Sequence, residues 1–244
     1  MIWIRSFFMC LGMFTAIPCP YRPWDEDARP RMTAMLPMVG LVIGAIWLAL
    51  GLLARAFLPT MVAAGAVAAL PILLTGMIHM DGFMDTVDAT MSWRDAEERR
   101  KILKDVHCGS FAVIASILLC TGQFAAAYEL LARDIRVLLL LPAASRCLSA
   151  IAISILPAIS HSEYAKGSKH MDTAIAATAM LVSIVIASFF WLGIRGGIAI
   201  LAETAAYMLA MAWAVHSLGG VSGDLAGYAL CVAELAGMIA AAIL

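Results

Sequence analysis

Charged residues are scarce in this chain of 244 residues: only 14% are Asp, Glu, Lys or Arg, whereas about 25% is typical of soluble domains. Apolar residues make up 63% of the chain, and the mean hydropathy is +0.93. A water-soluble globule and a disordered chain are both excluded, because neither can keep so much apolar surface in water. The formal net charge of −1 also argues against the basic field that nucleic-acid-binding proteins use.

Closely spaced cysteines and a cleavable leader are also absent. The six cysteines lie far apart with no CxxC pair, so neither a zinc site nor a small disulfide framework is indicated. No A-x-A site follows the short apolar run after Arg5, and Pro18 and Pro20 come early. We therefore expect residues 1–20 to form an uncleaved N-terminal segment at the membrane interface.

Long apolar stretches predict an all-α fold, a polytopic bundle of about seven transmembrane helices that forms one integral membrane domain over 1–244. A bilayer core of about 30 Å takes roughly 20 helical residues. Six of the seven stretches contain no Lys or Arg, and the fourth contains Arg146. The predicted spans are 36–54, 60–80, 110–132, 137–157, 174–194, 197–217 and 225–244.

Basic residues favour one side of this predicted bundle. With Arg5 and Arg146 left out, ten Lys and Arg residues fall before the first span or in the loops after spans two, four and six, and four fall on the other side. The positive-inside rule places the richer side in the cytoplasm. The polar loops 81–109, 158–173 and 218–224 share that side, which predicts one cytoplasm-facing site. Within the first loop, residues 95–105 predict a short surface helix with Asp95 as its N-cap.

The most informative motif is His79-Met80-Asp81-Gly82-Phe83-Met84-Asp85-Thr86-Val87-Asp88, at the end of the second predicted span. Its aspartates at i, i+4 and i+7 fall within an arc of about 60° on one helical face. Three such charges repel one another unless a cation lies among them, and carboxylate oxygens suit Mg²⁺. We therefore predict a Mg²⁺ site at Asp81, Asp85 and Asp88. Capping of the span and a proton or sodium pathway are the alternatives.

Further candidates flank this motif. His79 lies about 160° around the helix from Asp81, which favours an orienting or packing role over metal ligation, and it is a candidate substrate contact. In the following loop, Asp105 would complete a metal shell, and Lys104 or Arg99 would donate hydrogen bonds to phosphate. Gly109-Ser110, at the start of the third span, equally fits an ordinary turn and helix cap.

A glycine-rich segment separates spans six and seven, over Leu218–Gly227. Glycines around a serine and an aspartate at a helix start form a backbone nest whose N–H groups can approach an anion. A plain glycine hairpin would have the same sequence, but the acidic motif on the same side favours phosphate. The candidate contacts are Gly219, Gly220, Ser222 and Gly223, followed by Asp224.

Arg146 lies inside the fourth predicted span, where an unpaired cation is costly. It requires a partner such as Glu129, Glu203 or Glu234, or an anionic ligand in an aqueous cavity. We assign it as a candidate phosphate contact, with a structural ion pair as the equal alternative. Together these features predict a membrane enzyme that holds a divalent metal against a phosphate-bearing substrate and transfers a phosphoryl group.

In order and spacing these motifs resemble cobalamin synthase, the adenosylcobinamide-GDP ribazoletransferase family of vitamin B12 biosynthesis. The resemblance extends over nearly the whole chain. It is carried by His79-x-Asp81-Gly82-x-x-Asp85-x-x-Asp88, Lys104-Asp105 with Gly109, and Gly219-Gly220-x-Ser222-Gly223-Asp224-x-x-Gly227. Supporting matches are Phe14-Thr15-x-Ile17-Pro18-x-Pro20, Pro37-x-Val39-Gly40-x-x-x-Gly44, Ser145-Arg146 and Tyr164-Ala165.

The resemblance implies a Mg²⁺-dependent enzyme of the prokaryotic inner membrane that joins adenosylcobinamide-GDP to α-ribazole, or its 5′-phosphate, and releases GMP. It implies that Asp81, Asp85 and Asp88 hold Mg²⁺, and that Asp105 and Asp224 are further ligands or the base. The partners are then these substrates and the lipid bilayer, without nucleic acid, and a homo-oligomer is left open. A membrane phosphotransferase of the CDP-alcohol type and a transporter are the alternative functions.

The sequence departs from the family pattern at four places. Ala89 stands where a glycine usually follows the third aspartate, His107 where a basic residue is common, and Gln123 where lysine is frequent. Residues 166–169 lack the usual Arg-Glu-Glu-Gly continuation. These departures leave the predicted metal ligands intact and affect the expected contacts with nucleotide or corrinoid.

Overall fold

The structure is a computed structural model that describes residues 1–19, 21, 24–159 and 171–244. Over these residues the chain forms helices and no strand, apart from an isolated bridge between Ala158 and Val221. The predicted all-α fold is therefore confirmed. The α-helices are α1 (Ile2–Phe14), α2 (Met32–Phe57), α3 (Thr60–Leu74), α4 (Ile78–Met91), α5 (Ala96–Ile102), α6 (Ser110–Leu131), α7 (Leu141–Ile155), α8 (Met171–Leu218) and α9 (Gly223–Ile243).

Most predicted spans coincide with long apolar helices. Five helices of the described chain have the length and hydropathy of a membrane span, and the bent pair α3–α4 would be a sixth. The first, third and seventh predicted spans match α2, α6 and α9, and the fourth matches α7 with the short 3₁₀ helix Ile135–Leu139 before it. The main buried cluster lies between these helices and contains Trp47, Leu138, Ile200 and Met238.

Helix α8 covers the fifth and sixth predicted spans, with a break between them. Gly193 has φ 72° and ψ −168° inside the helix. The ring of Phe189, which precedes the break, crowds the position that a Cβ on Gly197, which follows it, would take. Eight residues of straight helix would separate these positions by about 12 Å. The chain therefore folds back at Gly193, as the separate spans 174–194 and 197–217 require.

The predicted second span, 60–80, is wrong in its extent. α3 ends at Leu74, and α4 is bent from it by 87°. Gly76 and Met77 have φ values of 59° and 67°, and their N–H groups bond to the carbonyls of Leu73 and Ile72, which is the Schellman termination of a helix. The acidic motif consequently occupies a helix of its own, and much of the predicted loop 81–109 is helical.

Parts of the three predicted polar loops meet at one end of the bundle. The N–H of Ile159 donates to the Val221 carbonyl at 3.1 Å, and Arg100 of α5 donates to the Leu218 carbonyl at 3.4 Å. At the other end, Arg55 donates to the Arg133 carbonyl at 3.1 Å. The convergence of the loops on one end is therefore confirmed.

Candidate active site

A glycine allows the acidic helix α4 to touch the start of α9. A Cβ on Gly82 would lie 2.8 Å from both the Cα and the carbonyl oxygen of Asp224. At the other end of the contact, a Cβ on Gly227 would lie 3.2 Å from the Cα of His79. These close approaches bring Asp224 beside Asp81 and Asp85, which are distant in sequence.

Four carboxylates form an acidic cluster at this contact: Asp81, Asp85, Asp88 and Asp224. Asp81 is exposed, and Asp85 is half-buried. The charges that act on Asp85 in the described structure are those of Asp81, Asp224 and Asp88, all of them negative. The arrangement therefore favours a bound cation.

The donor chemistry of this cluster fits Mg²⁺ that is shared with a substrate. Among the described residues, no group of three His, Cys, Asp or Glu side chains stands ready to hold a metal ion. Mg²⁺ usually takes only one or two protein carboxylates and completes its shell with water and substrate phosphates. The hard oxygens and excess negative charge of the acidic cluster suit such a partial site.

Asp88 differs from its neighbours in the cluster because its carboxylate is hydrogen-bonded to the start of another helix, α6. Its side chain is buried, and its two oxygens accept hydrogen bonds from the N–H of Gly109 at 2.6 Å and of Ala112 at 2.9 Å. These N–H groups lie at the start of α6, at its N-cap residue Gly109 and in its first turn. The helical spacing of the three aspartates was predicted, but this tertiary cap was not, because nothing local to Asp88 signals it.

The glycine-rich segment divides into a packed half and an open half. Gly220 is buried, and a Cβ there would lie 2.7 Å from the Pro157 carbonyl oxygen, whereas a Cβ on Gly223 would meet nothing within 4 Å. Ser222 caps α9 by accepting from the Leu225 N–H, and its hydroxyl donates to Asp224 at 3.2 Å. The predicted nest is therefore closed at Gly220 and open at Gly223, next to the acidic cluster.

Asp105 and Lys104 lie in the exposed loop between α5 and α6. Both are exposed, and Asp105 accepts hydrogen bonds from its neighbour His107, with 2.7 Å to the ring Nδ1 and 3.1 Å to the backbone nitrogen. The His107 ring lowers the pKa of Asp105. His107, which is one of the departures from the family pattern, therefore contacts the candidate residue Asp105.

Arg146 has a buried protein partner. Its guanidinium donates to Glu234 at 2.9 Å, and the two side chains are 2% and 4% exposed. Glu203 is fully buried, and neither of its carboxylate oxygens has a hydrogen-bond partner among the described residues. Glu234 was one of the partners named from the sequence, and this ion pair supports the structural interpretation of Arg146.

His79 packs within the protein. Its ring stacks on Phe14 with 6.5 Å between centroids, and its buried Nε2 has no partner in the described structure. This environment agrees with the packing role. The Tyr164-Ala165 match and the departure at 166–169 lie outside the described residues.

Comparisons with known proteins point to one family. A model of the cobalamin-5-phosphate synthase family matches residues 6–242. A protein of Clostridium perfringens (strain 13 / Type A) is 37% identical over 98% of this chain and 97% of its own, and one of Clostridium botulinum (strain Alaska E43 / Type E3) is 35% identical over the same shares. A protein of Desulfitobacterium hafniense (strain Y51) is 29% identical over 95% and 94%. All three are named adenosylcobinamide-GDP ribazoletransferase. No solved structure matches the chain.

Proposed function

The chain belongs to the cobalamin-5-phosphate synthase family, and we propose that it acts as an adenosylcobinamide-GDP ribazoletransferase. It would transfer the adenosylcobinamide phosphate moiety to α-ribazole or its 5′-phosphate and release GMP. The observation that carries this proposal is the meeting of two distant motifs, in which Gly82 and Asp224 touch and join the acidic helix α4 to the glycine-rich start of α9.

Mg²⁺ is the cofactor that this site suits. Asp81 and Asp85 would hold it together with oxygens of the substrate pyrophosphate, within the negative field of Asp88 and Asp224. The ion would neutralise the phosphates and stabilise the charge that develops on departing GMP. Without it, the four carboxylates would repel the pyrophosphate.

The remaining chemistry falls to the chain's own groups. A ribose hydroxyl attacks the phosphorus on the cobinamide side, the new P–O bond forms, and the bond to the GMP oxygen breaks. Asp224 is the best placed carboxylate to take the hydroxyl proton, because Ser222 occupies only one of its oxygens and Gly223 leaves open space beside it. The N–H groups at the start of α9 would meet phosphate oxygens. Asp105 is paired with its neighbour His107.

The end of the bundle that carries the candidate site would face the cytoplasm, with the bundle in a prokaryotic inner membrane. The ten basic residues predicted on the side of the three polar loops, against four on the other, support that orientation. The cytoplasm also contains the nucleotide substrate and receives GMP. Cysteine labelling of Cys108, which is exposed in the loop before α6, would test the orientation in intact and opened cells.

The test is Mg²⁺-dependent formation of GMP and a cobalamin product by the protein in liposomes, from adenosylcobinamide-GDP and α-ribazole. We expect equal amounts of both products, none in EDTA, and a loss of at least about 100-fold in Asp85→Asn. Folded protein that yields neither product with Mg²⁺ would refute the proposal. Release of CMP from a CDP-alcohol instead would indicate the alternative phosphotransferase.

A further inference from the structure

Helix α6 begins without a cap of its own. Its N-cap residue is Gly109, at φ −88° and ψ 170°, and no side chain of its own first turn caps it. The first four N–H groups of a helix have no partner within the helix, and a buried N–H without a partner costs about 1–3 kcal/mol. Asp88 satisfies two of them from α4, at Gly109 and Ala112.

The fit between Asp88 and Gly109 leaves no room for a side chain. A Cβ on Gly109 would lie 2.6 Å from Oδ1 of Asp88 and 2.8 Å from its Cγ and Oδ2. The 2.6 Å hydrogen bond from the Gly109 N–H is short even for an ionised acceptor. The carboxylate is thus pressed onto the backbone at the start of α6, where the helix dipole also favours negative charge.

The same geometry makes Asp88 less available than Asp81 and Asp85 as a metal ligand. Both of its oxygens face N–H groups of α6, and its side chain is only 9% exposed. Asp81, by contrast, is exposed, and Asp85 is half-buried. The three aspartates share a helical face, but the third is directed to protein backbone.

We propose that Asp88 is a positioning residue of the transfer reaction, which fixes the start of α6 and the loop 104–109 against α4, and that it does not ligate Mg²⁺. The proposal rests on the proposed function. The upstream side of this loop is held by Leu103, which is buried, and Asp88 holds the downstream side. Lys104 and Asp105 lie between these two anchors, so Asp88 controls where their charges stand relative to the substrate.

The experiment compares Asp88→Asn and Gly109→Ala with Asp85→Asn in the full-length protein. Asp88→Asn keeps one acceptor but turns an amide donor toward an N–H, and Gly109→Ala displaces the carboxylate while leaving every acid in the chain. We expect both to raise the KM for adenosylcobinamide-GDP about tenfold, to lower the melting temperature, and to leave the half-saturating Mg²⁺ concentration within about twofold. Asp85→Asn should raise that concentration about tenfold or more. The double variant Asp88→Asn/Gly109→Ala should be no worse than the more damaged single variant, because both remove one interaction.

The matched control is Asp134→Asn. Asp134 accepts from the Arg136 N–H at 3.0 Å and caps the short helix Ile135–Leu139, about 33 Å away along α6. We expect wild-type KM and Mg²⁺ response in this variant, so that loss of a carboxylate cap alone does not explain the effect.

Three results would overturn the proposal: a Mg²⁺ requirement in Asp88→Asn raised as much as in Asp85→Asn, an unchanged KM in both cap variants, or an Asp134→Asn phenotype equal to theirs. Amide exchange provides a readout that does not need activity, since the Gly109 and Ala112 amides should lose protection in Asp88→Asn. If wild-type protein releases no GMP, the proposed function fails, while unchanged exchange at these two amides would overturn the cap itself.

Discussion

Substituting Gly82 by alanine should separate the acidic helix α4 from the start of α9. The new Cβ would lie 2.8 Å from the Cα and carbonyl oxygen of Asp224, where ordinary contacts begin at 3.4 Å. Because backbone atoms cannot rotate aside, the helices must move apart by at least about 0.6 Å. Overpacking of this kind costs about 1–3 kcal/mol, partly offset by about 1 kcal/mol gained when glycine leaves a helix interior.

The activity should suffer more than the stability. A misplacement of about 1 Å can reduce a rate about 100-fold, so we expect a 10- to 100-fold loss of kcat/KM, with a higher Mg²⁺ requirement. GMP release at graded Mg²⁺ measures both quantities, and thermal unfolding in detergent measures the stability.

Gly65→Ala is the matched control for Gly82→Ala. A Cβ at Gly65 would meet only the Phe124 ring, at 3.9 Å, which is an ordinary contact between α3 and α6. We expect wild-type activity and equal or higher stability in this variant. Activity of Gly82→Ala within twofold of wild type, or an equal loss in Gly65→Ala, would refute the close-contact explanation.

Two further predictions follow from the buried ion pair and the exposed loop. Glu234→Gln should lower the free energy of unfolding by about 3–5 kcal/mol, because it leaves the Arg146 charge buried and unpaired. Glu203→Gln should be neutral or stabilising, because the Glu203 oxygens have no hydrogen-bond partner in the described structure. Melting temperatures in detergent compare the two variants, and a larger loss in Glu203→Gln would contradict the assignment of Glu234 as the partner of Arg146. His107→Ala should raise the pKa of Asp105 toward its ordinary value, because the imidazole contact that lowers it is lost. If turnover requires ionised Asp105, the acid limb of the pH–rate profile then shifts to higher pH, and an unshifted profile would show that it does not.

Local features of this fold were predictable from the sequence. Stretches without charges located the long helices, and Asp95 caps α5 by accepting the N–H groups of Glu97 and Glu98, as its position predicted. The spacing of Asp81, Asp85 and Asp88 correctly predicted a helix, because periodicity reports which residues share a face.

Contacts between distant segments were not predictable in the same way. The bend after α3 depends on left-handed backbone at Gly76 and Met77, and methionine carries no signal for that conformation. Periodicity also treated Asp88 as equivalent to Asp81, although its partners Gly109 and Ala112 lie 21 and 24 residues away. The family motif Lys104-Asp105 likewise gave no sign that the Asp105 carboxylate is bonded to the ring of His107.

Several acids outside the candidate site are neutralised by a nearby cation. In the described part of the chain, Asp25 pairs with Arg5, Asp134 with Arg136, and Glu234 with Arg146. The acids that surround Asp85 bring only further negative charge to it, although Gly82 and Gly227 are required to hold them so close. Like charges held close together repel one another and destabilise the protein when no ligand is bound. Such local conflicts are expected at functional sites. The positive charge that relieves this repulsion would come from the metal, which is why we place the chemistry at the α4–α9 contact and treat the Arg146 pair as part of the scaffold.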